Sequence, residues 1–190
     1  MIIAIKEKDR VVLGYSNVEY WNGVLAESDY VDEENIAIRF SENGYTFACA
    51  DAGRAADVLL YDDGFINDPD MDPKSIVRFR ASYIKETLDV NGVSYDKDNW
   101  KNALLMCNDE HIYGIDPGFG FYEADDYACH GFHTDLMRSV LDNTKGLSAR
   151  ERIIQAASFS EEVSKEGVFP LVITDTKTKQ FEIIYKGEKE

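Results

Sequence analysis

The order of two hydrophobic periodicities constrains the fold of this chain more than any other feature. Four strand-like runs are followed by two segments with apolar residues at three- and four-residue spacing, then by four strand-like runs, two helical segments and two closing strands. The predicted strands cover residues 2–6, 11–15, 35–40, 45–50, 103–107, 111–115, 119–123, 127–129, 169–174 and 180–185. The predicted helices cover residues 52–61, 74–90, 134–143 and 148–165.

Two groups of strands, each followed by two helices, predict two sheets with helices packed against them, because each sheet must bury at least one face. We therefore expect an α+β fold, a four-layer αββα sandwich in which two antiparallel sheets lie face to face between two pairs of helices. The strands between residues 102 and 129 are expected to form one meander in the second sheet. At 190 residues, positions 1–190 are predicted to form a single domain.

Local signals mark several ends of the predicted elements. Ser148 and Glu151 form the pattern of a capping box at the start of the last helix. Asn91-Gly92 ends the second predicted helix. The segment 17–34 carries three aromatic residues and is longer than a turn between two strands requires. It either covers a cleft or has no regular structure.

Charge and cysteine content exclude several classes of partner and site. The chain has 36 acidic and 20 basic side chains, a formal net charge of −16, which repels nucleic acid and anionic membrane surfaces. Its apolar runs are far shorter than the about 20 residues of a membrane span, and the first residues lack a signal-peptide core, so we expect a cytosolic protein. Cys49, Cys107 and Cys129 are widely spaced, which is typical of reduced buried thiols. We expect no metal and no cofactor.

Several stretches, taken in order, resemble one known family. They are Ile2-Ile3-Ala4-Ile5 with Arg10-Val11-Val12-Leu13-Gly14, Ala50-Asp51-Ala52-Gly53-Arg54-Ala55-Ala56-Asp57, His111-Ile112-Tyr113-Gly114-Ile115-Asp116-Pro117, and Asn143-Thr144 with Ser148-Ala149-Arg150-Glu151. Their order and spacing are similar to those of proteasome β-type subunits and of the bacterial two-component ATP-dependent protease, which share the N-terminal-nucleophile (Ntn) hydrolase fold. The resemblance covers nearly the whole chain and implies the same four-layer sandwich.

The catalytic residues that this resemblance implies are replaced here. In the family a threonine, or in relatives a serine or cysteine, begins the mature chain and attacks the substrate while its own amine acts as the base. This chain begins with Met1-Ile2, and none of its 13 glycines precedes threonine, serine or cysteine, as propeptide cleavage after glycine would require. The expected aspartate falls at Ser16 or Asn17, and the expected lysine is replaced by Glu34-Asn35. The family's Gly-Ser after the eighth strand becomes residues 129–133.

His130 and His133 are the other candidates for chemistry. The acids close to them in sequence are Asp125, Asp126 and Asp135. Together these residues would form a metal or acid-base cluster. We prefer the interpretation that both histidines are turn residues beside a cleft entrance. Cys129 next to His130 is not expected to form a dyad, because adjacent residues of a strand point to opposite faces.

The sequence therefore predicts a non-catalytic, proteasome-β-like scaffold or binding protein that keeps the fold and its cleft. The alternative is a peptide or amide hydrolase of the threonine-protease-like class with a processed or unconventional nucleophile. The candidate residues of the vestigial cleft are Met1, Ser16, Asn17, Asn35, His130 and His133. The resemblance implies self-association through the helical layers, and the charge favours a small oligomer over a full ring. A peptide or protein is the expected ligand of the cleft.

Overall fold

The computed structural model describes residues 1–16, 19–21, 24–26, 36–41, 43–49, 71–92, 104–116, 118–131, 133–165 and 167–187. The strands in these ranges are β1 (Ile2–Lys6), β2 (Val11–Ser16), β3 (Glu19–Trp21), β4 (Val24–Ala26), β5 (Ile38–Phe40), β6 (Thr46–Cys49), β7 (Leu104–Cys107), β8 (Ile112–Ile115), β9 (Phe121–Ala124), β10 (Tyr127–His130), β11 (Leu171–Asp175) and β12 (Glu182–Ile184). The helices are α1 (Pro73–Val90), α2 (Thr134–Asn143) and α3 (Ala149–Ser164). The predicted helix at 52–61 lies outside the described residues.

Two five-stranded antiparallel sheets form the centre of the fold, as predicted. The first sheet has the strand order β10-β1-β2-β11-β12, and the second has the order β5-β6-β7-β8-β9. Helices α2 and α3 pack on the first sheet, and α1 packs on the second. The architecture is thus an α+β sandwich of two antiparallel sheets with helices outside them. Among the described helices, none is long and apolar enough to cross a membrane.

Two parts of the predicted strand arrangement are wrong. Strand β10 is not the last strand of a meander in the second sheet, because it pairs with β1 of the first sheet. The reason is burial on both sides: Ala128 packs between the sheets, whereas Cys129 packs under α2 and α3. The segment 17–34, for which we predicted no strand, contains the antiparallel hairpin of β3 and β4.

The alternation of side chains along β1 explains why the first sheet is buried on both faces. Ile2 and Ala4 belong to the core between the two sheets, whereas Ile3 and Ile5 belong to the core under α2 and α3. Each of these isoleucine side chains contributes about 2 to 3 kcal/mol by its burial. Continuous apolar runs of this kind are typical of strands that are covered on both sides.

The outer helices begin and end close to the predicted positions. Helix α2 spans the predicted residues 134–143, and α3 starts one residue after its predicted capping residue. The capping box is present, since the Ser148 hydroxyl accepts from the Glu151 amide while the Glu151 carboxylate accepts from the Ser148 amide. Gly14 of β2 lets α3 approach closely, because a Cβ atom at Gly14 would collide with the side chain of Ile153.

Candidate functional site

Three of the six candidate cleft residues come together at the start of β1. Strand β1 lies between β2 and β10, so Ile2 is paired with Tyr15 on one side and with His130 on the other. The carbonyl oxygen of Met1 accepts a hydrogen bond of 3.0 Å from the amide of Ser16. Met1, Ser16 and His130 therefore mark one end of the first sheet. Asn17 and Asn35, the two other cleft candidates near β2 and β5, lie outside the described residues.

Met1 packs as an apolar side chain at this end of the sheet. It is half-buried and lies against the core between the first sheet and helices α2 and α3. The next side chain, Ile2, is fully buried on the other face of the strand. A thioether has no proton to lose, and an isoleucine side chain has no nucleophilic atom, so neither residue supplies the group with which an Ntn hydrolase attacks its substrate.

Ser16 is buried, and its hydroxyl is used in the structure. Its Oγ donates a hydrogen bond of 2.7 Å to the carbonyl oxygen of Val168, in the segment that leads into β11. Ser16 is also paired with Leu171 of β11 through the backbone. A backbone carbonyl is too weak a base to remove the proton of the Ser16 hydroxyl, so this contact does not activate Oγ as a nucleophile. The hydrogen bond instead holds β2 to the segment before β11.

His130 is fully buried at the end of β10 and contacts the second sheet. It lies within the strand, one residue beyond the predicted strand end, so our interpretation of it as a turn residue is wrong. Its Nε2 lies 3.1 Å from Oη of Tyr122 in β9. Burial, with a smaller contribution from the Arg138 guanidinium, lowers the pKa of His130 to about 4. The imidazole is therefore neutral near pH 7.

Cys129 and His130 point to opposite faces, as alternation along a strand predicts. Cys129 packs with the helices and donates a long hydrogen bond of 3.9 Å from its sulfur to the carbonyl oxygen of Thr134. Burial raises the pKa of the Cys129 thiol to about 11, so the sulfur stays protonated and unreactive. The two residues do not form a thiol-imidazole pair.

His133 lies at the start of α2, three residues after His130. It occupies the N-cap position with φ of 61° and makes no side-chain capping bond. With Gly131, Thr134, Asp135 and Arg138 it lines an open depression of about 490 Å³. Leu136 completes this lining.

A metal cluster around the two histidines is not formed by the described residues. Asp126, one of the candidate acids, instead accepts two hydrogen bonds of 2.9 and 3.0 Å from Arg152. Across the described ranges, no group of three or more histidine, cysteine, aspartate or glutamate side chains has the geometry to hold a metal ion.

Two residues of this region were missed by the sequence analysis. Tyr122 and Arg138 come from β9 and α2, and both lie beside His130. Neither carries a motif, and their proximity depends on β10 joining the first sheet, which the sequence pattern did not predict.

The chain is similar to known proteins in its three-dimensional structure but not detectably in its sequence. No family model and no curated protein matches the sequence. The structure is similar to that of Thiobacillus denitrificans BPH in complex with epoxomicin, with a TM-score of 0.75 at 14% identity over 92% of this chain and 96% of that chain. Eukaryotic HslV from Trypanosoma brucei gives a TM-score of 0.73 at 13% identity, over 92% and 97% of the two chains. Anbu, an ancestral beta-subunit from Yersinia bercovieri, gives 0.72 at 11% identity, over 99% and 88%.

Proposed function

The chain has the Ntn-hydrolase fold of proteasome-like proteins, and from this premise we propose that it is a non-catalytic, cytosolic, proteasome-β-like subunit. The observation that supports the proposal most directly is the start of β1, where half-buried Met1 and fully buried Ile2 pack as core residues. A fold by itself does not establish an activity, which depends on the side chains at the site. A cleft without a nucleophile would serve to hold a peptide or protein ligand.

The hydroxyl and thiol groups near the start of β1 give further support. Three described residues near the start of β1, Ser16, Cys129 and Thr134, carry an aliphatic hydroxyl or a thiol, and each donates its hydrogen to a backbone carbonyl. The acceptors are Val168, Thr134 and Gly131 respectively. None of these three contacts provides the base that nucleophilic catalysis requires. They therefore do not favour the hydrolase alternative.

The test is a covalent trapping experiment on the full chain. Thiobacillus denitrificans BPH, whose structure contains epoxomicin, serves as the positive control. The intact mass of the purified protein is measured first, to define its first residue, and again after incubation with epoxomicin. We expect no added mass and no cleavage of fluorogenic peptides. A single stoichiometric adduct mapped to the first residue would overturn the proposal and support the hydrolase alternative.

We also propose that the chain self-associates through its helical layer. Phe159 and Val163 lie one helical turn apart on α3 and are 41% and 49% exposed. Large apolar side chains that share one exposed helix face are typical of contact surfaces. The net charge of −16 opposes close packing of many copies, which favours a dimer over a ring.

Light scattering at moderate salt tests the self-association. We expect a dimer for the native chain and a monomer for Phe159→Asp. The control is Phe79→Asp on α1, a residue of similar exposure on the other side of the fold, which should leave the dimer intact. A native chain that remains strictly monomeric at high protein concentration would remove this proposal and leave the first one standing.

A further inference from the structure

We propose that the contact between Tyr122 and His130, beside Arg138, forms an acid-sensitive joint between the two sheets near the start of β1. This joint would hold the edges of the sheets together at neutral pH and release them in acid. The inference does not depend on whether the chain is catalytic, because it concerns only contacts between edge strands.

The joint connects two strands that are close in sequence but belong to different sheets. Tyr122 lies in β9, an edge strand of the second sheet, and His130 lies in β10, an edge strand of the first. Their rings meet edge to face, with centroids 5.9 Å apart and planes at 70°. The Tyr122 ring is also fixed from below, since it lies over Gly114 of β8 so closely that a Cβ atom there would collide with it.

The proton of the Tyr122 phenol defines the joint. Burial raises the pKa of Tyr122, and the phenol therefore keeps its own proton near pH 7. Nε2 of His130 lies 3.1 Å from the phenol oxygen. In the joint, Tyr122 donates its proton to Nε2, so the neutral imidazole carries its own proton on Nδ1. The joint thus requires that Nε2 of His130 be an unprotonated acceptor.

The groups around His130 determine how it responds to acid. Arg138 of α2 disfavours the protonated imidazole, whereas Asp116 in the segment between β8 and β9 favours it. Asp116 is already held by amides of its own loop, since its Oδ1 accepts from Gly118 and Gly120 at 2.7 and 3.0 Å. Cys129 of β10 is neutral, because burial raises its pKa to about 11. Burial of the imidazole is the largest influence, and it lowers the pKa of His130 to about 4.

Protonation of His130 would break the joint for two reasons. A proton on Nε2 turns the acceptor into a donor, so the Tyr122 hydroxyl can no longer donate to it. The imidazolium would also be a buried charge next to the Arg138 guanidinium. Because the folded pKa lies below the ordinary value near 6.5, the closed state is fully favoured above pH 6.5 and loses stability as the pH falls toward 4.

Hydrogen exchange of the full chain, measured by mass spectrometry from pH 7 to pH 4.5, tests the joint. Protection factors, which correct for the pH dependence of the intrinsic rates, should fall in peptides covering β9 and β10 by about tenfold per pH unit below about pH 6.5. Peptides covering the centre of α3 should keep their protection over the same range. This difference is the expected result for local opening at the edges of the two sheets.

Two glutamine variants separate His130 from other acid-sensitive groups. In His130→Gln, the side-chain amide oxygen can still accept from Tyr122 but does not titrate, so protection of β9 and β10 should be flat from pH 7 to pH 4.5. The matched control is His111→Gln, since His111 is half-buried and its Nδ1 contacts Glu123 instead of the joint. That variant should show the native response.

Two results would overturn the proposal. One is a native chain whose β9 and β10 keep their protection in acid, and the other is His130→Gln with the native acid response. If His130→Gln does not fold, Tyr122→Phe and an NMR titration of the native His130 ring replace it. Tyr122→Phe should lower the protection of β9 and β10 about fivefold at pH 7, because it removes one hydrogen bond. Native protection in that variant, or a ring that titrates near pH 6.5, would contradict the joint.

Discussion

The two ends of the first sheet are held together by different physical interactions. At the start of β1 the contacts are neutral: a backbone hydrogen bond from Ser16 to Met1, a hydroxyl bond to Val168, and the contact of Tyr122 with His130. At the opposite end, where β1 turns into β2, the contacts are ionic. There the buried Arg152 is bound to Asp126, and Arg10 is bound to Glu7 and Asp175. The Glu7 carboxylate also accepts from the first amide of α3 at 3.0 Å.

The two ends therefore differ in what stabilises them. At the turn between β1 and β2, which is far from the candidate cleft residues, ion pairs hold the turns and the start of α3 to the sheet. At the start of β1 the contacts named above are hydrogen bonds between neutral groups, and the buried imidazole of His130 is neutral near pH 7. The two ends should therefore respond to different perturbations: the far end to removal or protonation of charged partners, and the start of β1 to loss of neutral hydrogen bonds.

The largest effect is expected at the ionic end. The Arg152 side chain is 5% exposed, donates two hydrogen bonds to Asp126, and donates a third of 2.9 Å to the carbonyl oxygen of Leu141 at the end of α2. Arg152→Ala removes all three bonds and leaves the Leu141 carbonyl without this donor. We expect a loss of about 3 kcal/mol of unfolding free energy, measured by urea denaturation.

Arg150 is the matched control for this prediction, two residues earlier on α3. It forms an ion pair with Glu182, but both side chains are 40% or more exposed. Arg150→Ala should therefore change the unfolding free energy by less than about 1 kcal/mol. Equal losses for the two variants would show that burial does not distinguish these ion pairs, and the comparison between the two ends would lose its basis.

A smaller effect is expected from the neutral end. Ser16→Ala removes the hydroxyl that is bound to the Val168 carbonyl and leaves that buried acceptor without its donor. The expected loss is about 1 to 2 kcal/mol of unfolding free energy, and it should be the same at low and high salt because no charge is involved. Ser82→Ala on the exposed face of α1 is the control, and it should cost less than about 0.5 kcal/mol. A strong salt dependence for Ser16→Ala would contradict the assignment of neutral contacts to this end.

The smallest effect concerns acid at the ionic end. Hydrogen bonds from Arg152 lower the pKa of Asp126 below its usual value, so its contribution to stability is present above the unfolded pKa and is lost as the pH falls through the folded pKa. Asp126 is 36% exposed, so solvent limits this contribution to about 1 kcal/mol. The native chain should therefore exceed Asp126→Asn in stability at pH 7, and the difference should shrink as the pH falls below the ordinary pKa of an aspartate. A difference that persists unchanged in acid would show that the carboxylate charge is not what stabilises this end.

The elements whose ends carry local signals could be predicted from the sequence. The limits of α2 and the capping box of α3 agree with the pattern because both depend on contacts within one or two helical turns. The two-sheet arrangement could also be predicted, because every apolar strand must bury at least one face against another layer. The fold class was therefore accessible without any knowledge of tertiary contacts.

The partner of β10 and the surroundings of His130 could not be predicted in the same way. The residues of β10 would be buried in either sheet, so its apolar pattern does not distinguish the two. In the structure β10 pairs with the edge of β1 that β2 leaves open. Once β10 lies in the first sheet, Tyr122 and Arg138 converge on His130 from elements with no shared motif. The low pKa of His130 depends on this burial, so no local pattern could have indicated it.

The position of β2 in the first sheet has a consequence for how the chain is synthesised. All six residues of β2 are buried, and the strand lies between β1 and β11. Its hairpin with β1 can form early, but its second edge stays unpaired until residues 171–175 have left the ribosome. Pairing over such a sequence distance is slow, and an apolar strand with a free edge is prone to aggregate. We therefore expect the nascent chain to depend on chaperone protection until β11 is available to cover this edge.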